Sequence, residues 1–152
     1  MPLQCDIITQ ERTVFSDIVD SVNLPGTEGR MGILPNHSPL LTTLSFGEVV
    51  VRQRGEEAYF AIGGGFAEVQ PDHVIVLADS AEHADEIDIE RAERARQEAE
   101  QVMREGVPDD PDRLAAIQVS LLRAQVRIDV GRRRRRHRTL PMGRPGGSEE
   151  ER

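Results

Sequence analysis

The sequence predicts an α+β chain: a small all-β N-terminal domain, sandwich or barrel, followed by an antiparallel two-helix hairpin and a disordered basic tail. Three observations carry this. Short β-branched runs separated by turn signals fill the first 83 residues. At Asp88 the hydrophobic period changes from about two to between three and four. After Gly131 an arginine run opens a stretch rich in Pro, Gly and charge. The expected units are therefore residues 1–84, 85–131 and 132–152.

The strands are expected at LQCDIIT (3–9), DIVDSVNL (17–24), EVVVRQR (48–54), EAYFAIG (57–63), FAEVQ (66–70) and HVIVLAD (73–79). Turn signals separate them: LPGTEG (24–29), NHSP (36–39), RGEE (54–57), GGG (63–65) and PDH (71–73). In DIERAERARQEAEQVMREG, the residues Ile89, Ala92, Ala95, Ala99 and Val102 form a narrow, alanine-rich helical stripe. Asp88 reads as its N-cap and Gly106 as its stop. Asp110 caps a second helix with Pro111 at its first position. Leu114, Ile117, Leu121, Ala124 and Ile128 share one face of it, and Gly131 reads as its end. The alanine stripe lets the two axes approach closely but buries little area. A hairpin of this kind is marginal alone and is expected to move.

Composition narrows the function classes. The one cysteine, Cys5, can form no internal disulfide, and the four histidines lack metal-ligand spacing. No apolar run approaches the roughly 20 residues that span a bilayer, and no signal peptide is read, so a soluble or peripheral protein is expected. The net charge of −8 is unevenly spread. Residues 1–90 hold sixteen acidic and four basic side chains, a balance of −12; residues 91–152 hold eleven and fifteen, a balance of +4. All 19 basic residues are arginine, which stays charged and binds carboxylate or phosphate bidentately.

No nucleophile–base arrangement is visible. In GRMGILPNHSPLL (29–41), His37 sits between prolines and reads as a turn or contact residue in a shaped apolar ridge. Gly63–Gly65 precedes a strand rather than a helix, so it reads as a bulge or tight turn, not a phosphate loop. Arg91 lies one turn into the first helix, and Arg123 and Arg127 share a face of the second. These three, with a helix N-terminus, could hold a polyphosphate or could be solvated surface charges. The run GRRRRRHR (131–138) has three readings: nucleic acid, an acidic protein surface, or an inert tail. No aromatic residue lies near it, which weakens the first. The run is also continuous with the second helix, so its charge can be carried on a rigid rod.

The blocks GRMGILPNHSPLLTTLSFGEV (29–49), GGGFAEVQPDHVIVLADSAE (63–82) and the helix start EIDIERA (86–92) resemble the epsilon subunit of the F-type ATP synthase, in its order and spacing over about residues 1–130. The resemblance implies an antiparallel β-sandwich with a C-terminal helix hairpin. It implies a non-catalytic part of the central rotor, at the cytoplasmic face of the bacterial membrane. The sandwich would sit at the foot of the gamma subunit against the c-ring and help couple proton flow to ATP synthesis. Arg30 would lie nearest the c-ring and His37 on the side facing gamma. The hairpin would fold down on the sandwich or extend along gamma. Extended, it would oppose ATP hydrolysis, partly by meeting an acidic loop of the beta subunit. No cofactor is required.

In some relatives the folded hairpin binds ATP as a regulatory ligand. Their motif stands here as Ile87, Asp88, Arg91 and Ala92, with Glu82 upstream and Arg123 and Arg127 on the second helix. Where tight binders can carry another basic residue two turns along the first helix, this chain has Glu98. The tail also departs from the family, whose members usually end soon after the second helix. Arg132, Arg133, Arg134, Arg135 and Arg136 are expected to strengthen the contact with the beta subunit in the extended state.

Overall fold

A computed structural model describes residues 2–139. Eight strands run in chain order: β1 (Leu3–Ile8), β2 (Thr13–Val19), β3 (Ser21–Gly26), β4 (Gly29–Ile33), β5 (Leu40–Gln53), β6 (Glu56–Gln70), β7 (His73–Ala78) and β8 (Ala81–His83). A 3-10 turn (Ala84–Glu86) leads to helices α1 (Ile89–Glu105) and α2 (Pro111–Thr139). The strand order is β2-β1-β7-β6-β5-β3-β4, with β8 also on β6. Every pairing is antiparallel except that of β1 with β7.

The sandwich closes because β5 and β6 are long enough to serve both layers. They pair from Leu40↔Val69 to Gln53↔Glu56. Along its length β6 changes its second neighbour, from β8 at Phe60–Ile62 to β7 at Gly65–Gln70. The change happens at Gly63–Gly65, where Gly64 and Gly65 take φ of +84° and +120°. A side chain at Gly65 would run into the Leu77 carbonyl of β7. The glycines therefore let two backbones meet. Of the two readings, bulge or tight turn, the bulge fits: the glycines bend a single strand 15 residues long rather than separating two.

The strand expected at 48–54 begins already at Leu40, β8 is an added short strand, and two further assignments change. DIVDSVNL divides at Asp20 into β2 and β3, which pair on opposite sides of the fold with β1 and β5. GRMGI, read as part of a ridge, is strand β4, paired in register with β3 (Val22↔Ile33). Period-two alternation marks a strand but not where it folds back, which hid the division at Asp20, while the glycines in GRMGI masked β4.

The core lies between the layers. Leu3, Cys5 and Ile7 of β1 face inward with Val74 and Val76 of β7, Val49 and Val51 of β5, and Phe60 and Ile62 of β6. Phe60 stands edge-on to Phe15 at 5.5 Å and to His83 at 4.9 Å. Burial, then the neighbouring Asp6, pushes the Cys5 thiol up to about 12, so it packs as a small apolar group. A second, smaller core lies on the other face of β6. There Tyr59 and Ala61 meet Ala84, Val130 and the flanks of Ile87 and Val126. Both faces of β6 are thus covered, which explains why AYFAIGG reads as an unbroken apolar run.

The caps form as expected. The Asp88 carboxylate accepts from the Arg91 amide at 3.1 Å, and Gly106 ends α1 with φ of +146°. The Asp110 carboxylate accepts from the Asp112 amide at 3.0 Å. Gly131, however, does not end α2, which continues to Thr139. It is buried, and a Cβ there would come within 2.7 Å of Ile89 Cγ1. Its smallness serves helix packing rather than termination. The arginines at 132–136 therefore extend the helix, and residues 140–152 of the expected tail lie outside the described residues.

Candidate functional site

The hairpin is folded down on the sandwich, and the residues singled out in the sequence gather along that seam. Glu82 projects from β8 and Arg127 from α2. The Arg127 guanidinium donates from Nε to Glu82 Oε2 at 2.7 Å and from Nη2 to Oε1 at 3.2 Å. Each side chain is about three-quarters buried. A bidentate pair of this kind fixes orientation as well as charge. Arg123, one turn earlier, lines a cleft of about 460 Å³ with Arg127, Glu82, Arg12, Glu86 and Ser80. Ala61, Ile62 and Gly63 of β6 also line it.

The other members of the motif do different work. Ile87 packs its flank on the small core beside Val130. Ala92 is fully buried. Asp88 caps α1, and its carboxylate already accepts a backbone hydrogen. Arg91 is exposed. The structure thus brings Glu82, Arg123 and Arg127 into one cleft, while Ile87, Asp88, Arg91 and Ala92 do not line it.

Arg30 donates to the Glu48 carbonyl at 2.9 Å, and His37 is half-buried with its Nδ1 2.7 Å from the Ser38 carbonyl. Neither touches the cleft. The first arginines of the run are engaged: Arg132 with Glu93, Arg133 with Glu48, Arg134 with Asp85. Arg135 and Arg136 continue the helix.

Sequence reasoning missed the second ion pair at the seam. Arg12, in the β1–β2 connection, reaches Glu86 of the 3-10 turn, with Nη2–Oε2 at 2.7 Å. Seventy-four residues separate the two, and no local pattern could have paired them. The side-chain hydrogen bond from Arg12, outweighing burial, holds the Glu86 carboxyl below the usual range.

His83 sits at the hinge between sandwich and hairpin. Its Nδ1 accepts from the Asp85 amide at 3.0 Å. Burial, then the nearby Arg134 charge, lowers its pKa, with Glu86 opposing. A lowered folded-state pKa means that the unfolded chain takes up the proton first as pH falls. The neutral imidazole thus stabilises above about pH 6.5, the ordinary histidine value, and that contribution is lost below it. Thermal unfolding of the full chain should show a lower midpoint at pH 5.5 than at 7.5. His83→Asn, which can still cap the turn, should flatten the difference. An undiminished drop in the variant would exclude His83 as its source.

The chain is thus a small β-sandwich with a two-helix hairpin docked across one face and held there by carboxylate–arginine pairs. The comparisons name the class. The family model described as ATP synthase, Delta/Epsilon chain, beta-sandwich domain matches residues 2–84, and its companion, the long alpha-helix domain, matches residues 85–131. The chain is 50% identical to the ATP synthase epsilon chain of Herpetosiphon aurantiacus over 135 residues, covering 89% of this chain and 98% of the relative. It is 51% identical to that of Dehalococcoides mccartyi over 136 residues, covering 89% and 96%. The chain belongs to the ATP synthase epsilon chain family and is a non-catalytic subunit. Among solved structures, a chain of the Euglena gracilis mitochondrial ATP synthase shares the fold with a TM-score of 0.70 at 23% identity, covering 82% of this chain and 78% of that one. A chain from the Tetrahymena thermophila mitochondrial ATP synthase central stalk and c-ring does so with 0.61 at 11%, covering 86% and 97%. Among the described residues, no helix is long and apolar enough to cross a membrane.

Proposed function

We propose that this subunit works in the central stalk, with its sandwich against gamma and the c-ring at the cytoplasmic face of the bacterial membrane. There it helps couple proton flow to ATP synthesis. Its hairpin is the regulatory element. Closed on the sandwich, it leaves hydrolysis free; extended along gamma, it opposes hydrolysis and meets an acidic loop of the beta subunit. Membrane association comes through the complex alone.

ATP is the ligand that holds the hairpin down. The observation that supports this reading is the cleft at the seam, where Arg123 stands beside the Arg127–Glu82 pair. A triphosphate there would meet two guanidinium groups from α2 while touching the sandwich backbone below. Each charge-assisted hydrogen bond would add roughly 1.5–3 kcal/mol. A ligand bridging α2 and the sandwich binds only the closed state, so it shifts the hairpin equilibrium by an amount that grows with the ratio of its concentration to its Kd. Asp88, Ile87 and Ala92 shape the helix start that seats α2 and do not themselves touch the phosphates.

Calorimetric titration of the full chain with ATP should show saturable heat, and Arg123→Ala should weaken binding by about tenfold or more. Circular dichroism should show the same helix content in both proteins. No heat with either protein would end the nucleotide reading and leave the stalk assignment standing.

A further inference from the structure

The arginine run begins where the match to the long alpha-helix domain ends, at residue 131. In the closed hairpin its first three residues point three ways, because successive helical side chains are about 100° apart. Arg132 Nη2 lies 2.6 Å from Glu93 Oε1 of α1. Arg133 Nη1 lies 2.5 Å from Glu48 Oε1 of β5, and its guanidinium covers the Tyr59 ring at 5.1 Å. Arg134 pairs with Asp85 of the 3-10 turn. Glu93 belongs to the hairpin itself and Asp85 to the turn before it, so the contact with Glu48 of β5 is the one that ties the arginine helix to the sandwich.

The Glu48 side chain is only 12% exposed. In the closed state Arg133 covers that carboxylate, and the aromatic face beside it favours a guanidinium over an ammonium.

We propose that Glu48, Asp85 and Glu93 form an acidic seat whose occupant is this chain's own arginine helix, residues 132–134, and that its occupation latches the hairpin shut. The proposal deepens the regulatory reading but rests on closure alone, not on nucleotide. It also adds a competition. Arginines that would serve the extended state by meeting the beta subunit must first leave the seat, so an acidic partner competes with it for them.

Hydrogen exchange on the full chain tests this. In Arg133→Glu, amides of residues 124–131 should exchange at least about tenfold faster than in the unsubstituted protein, since a like charge then faces Glu48. Arg133→Gln should change in the same direction by less. Amides of β1 and β7 should be unaffected and report an intact sandwich. Combining Arg133→Glu with Glu48→Arg should restore most of the protection. Unchanged exchange in Arg133→Glu, or no recovery in the double exchange of charge, would overturn the seat. Calorimetry with ATP fails or succeeds separately.

Discussion

Gly65→Val should lower the thermal midpoint of the sandwich by about 15 °C or more. Two effects add at this position. The backbone φ of +120° is one that side-chain-bearing residues rarely adopt, and strain of this kind costs roughly 1–3 kcal/mol. A Cβ would also come 2.1 Å from the Leu77 carbonyl oxygen and 2.8 Å from Ala78 Cα. Both obstacles are backbone, so no rotamer change relieves the clash and β7 itself must shift. Overpacking adds roughly 1–3 kcal/mol. A total of about 2–6 kcal/mol is a large share of a typical domain's stability, and for 60–100 residues each kcal/mol moves the midpoint by about 4–8 °C. Gly29→Ala supplies the comparison. Its φ is +132°, yet nothing lies within 4 Å of its Cβ position. It should lose only the strain. Equal losses for Gly65→Ala and Gly29→Ala in thermal circular dichroism would contradict the close-approach account.

Gly131→Leu should open the hairpin without unfolding the sandwich. Replacing glycine inside a helix raises helix propensity by about 0.8–1 kcal/mol, which by itself favours α2. Against this, the new Cβ would sit 2.7 Å and 3.0 Å from two Ile89 carbons and 3.4 Å from Ile87 Cγ2. Ile89 is buried at the start of α1 and Ile87 packs on the small core, so both must shift to admit a larger side chain. Overpacking of roughly 1–3 kcal/mol acts on docking, not on the helix. The two effects therefore separate: α2 stays helical, and the closed state loses. Amide exchange over residues 124–131 should rise by roughly five- to thirtyfold, while far-ultraviolet circular dichroism keeps its helical signal. Gly131→Ala, with the gain and the smaller clash nearly balanced, should lie close to the unsubstituted protein.

Local chemistry made much of this fold legible. The caps at Asp88, Gly106 and Asp110, the alternation of Leu3, Cys5 and Ile7, and the stripe ending in Ala124 and Ile128 all read correctly, because each depends on neighbours a few residues away. The glycine readings fared unequally. Of the bulge or tight turn expected at Gly63–Gly65 the bulge alternative fits, while Gly131 does not end its helix; both sites mark places where another element comes close. A glycine in sequence does not say whether it bends its own chain or admits a neighbour.

The candidate site divides the same way. Arg123 and Arg127 could be placed on one helix face from spacing alone. That Glu82 lies opposite Arg127 depends on tertiary register, and spacing carries no sign of it; the family resemblance supplied Glu82 instead. The Arg12–Glu86 pair and the Glu48–Arg133 pair had neither source. The run at 132–136 was visible as charge, but its helical continuation through Gly131 and its carboxylate partners belong to the folded chain.

ATP hydrolysis by the enzyme assembled with Gly131→Leu in place of the unsubstituted subunit tests the central claim, that hairpin closure governs inhibition. Opening should leave more subunits free to extend, so hydrolysis should fall by several-fold, with the variant still bound at full stoichiometry. Hydrolysis equal to or faster than that of the enzyme with the unsubstituted subunit, at the same occupancy, would contradict it.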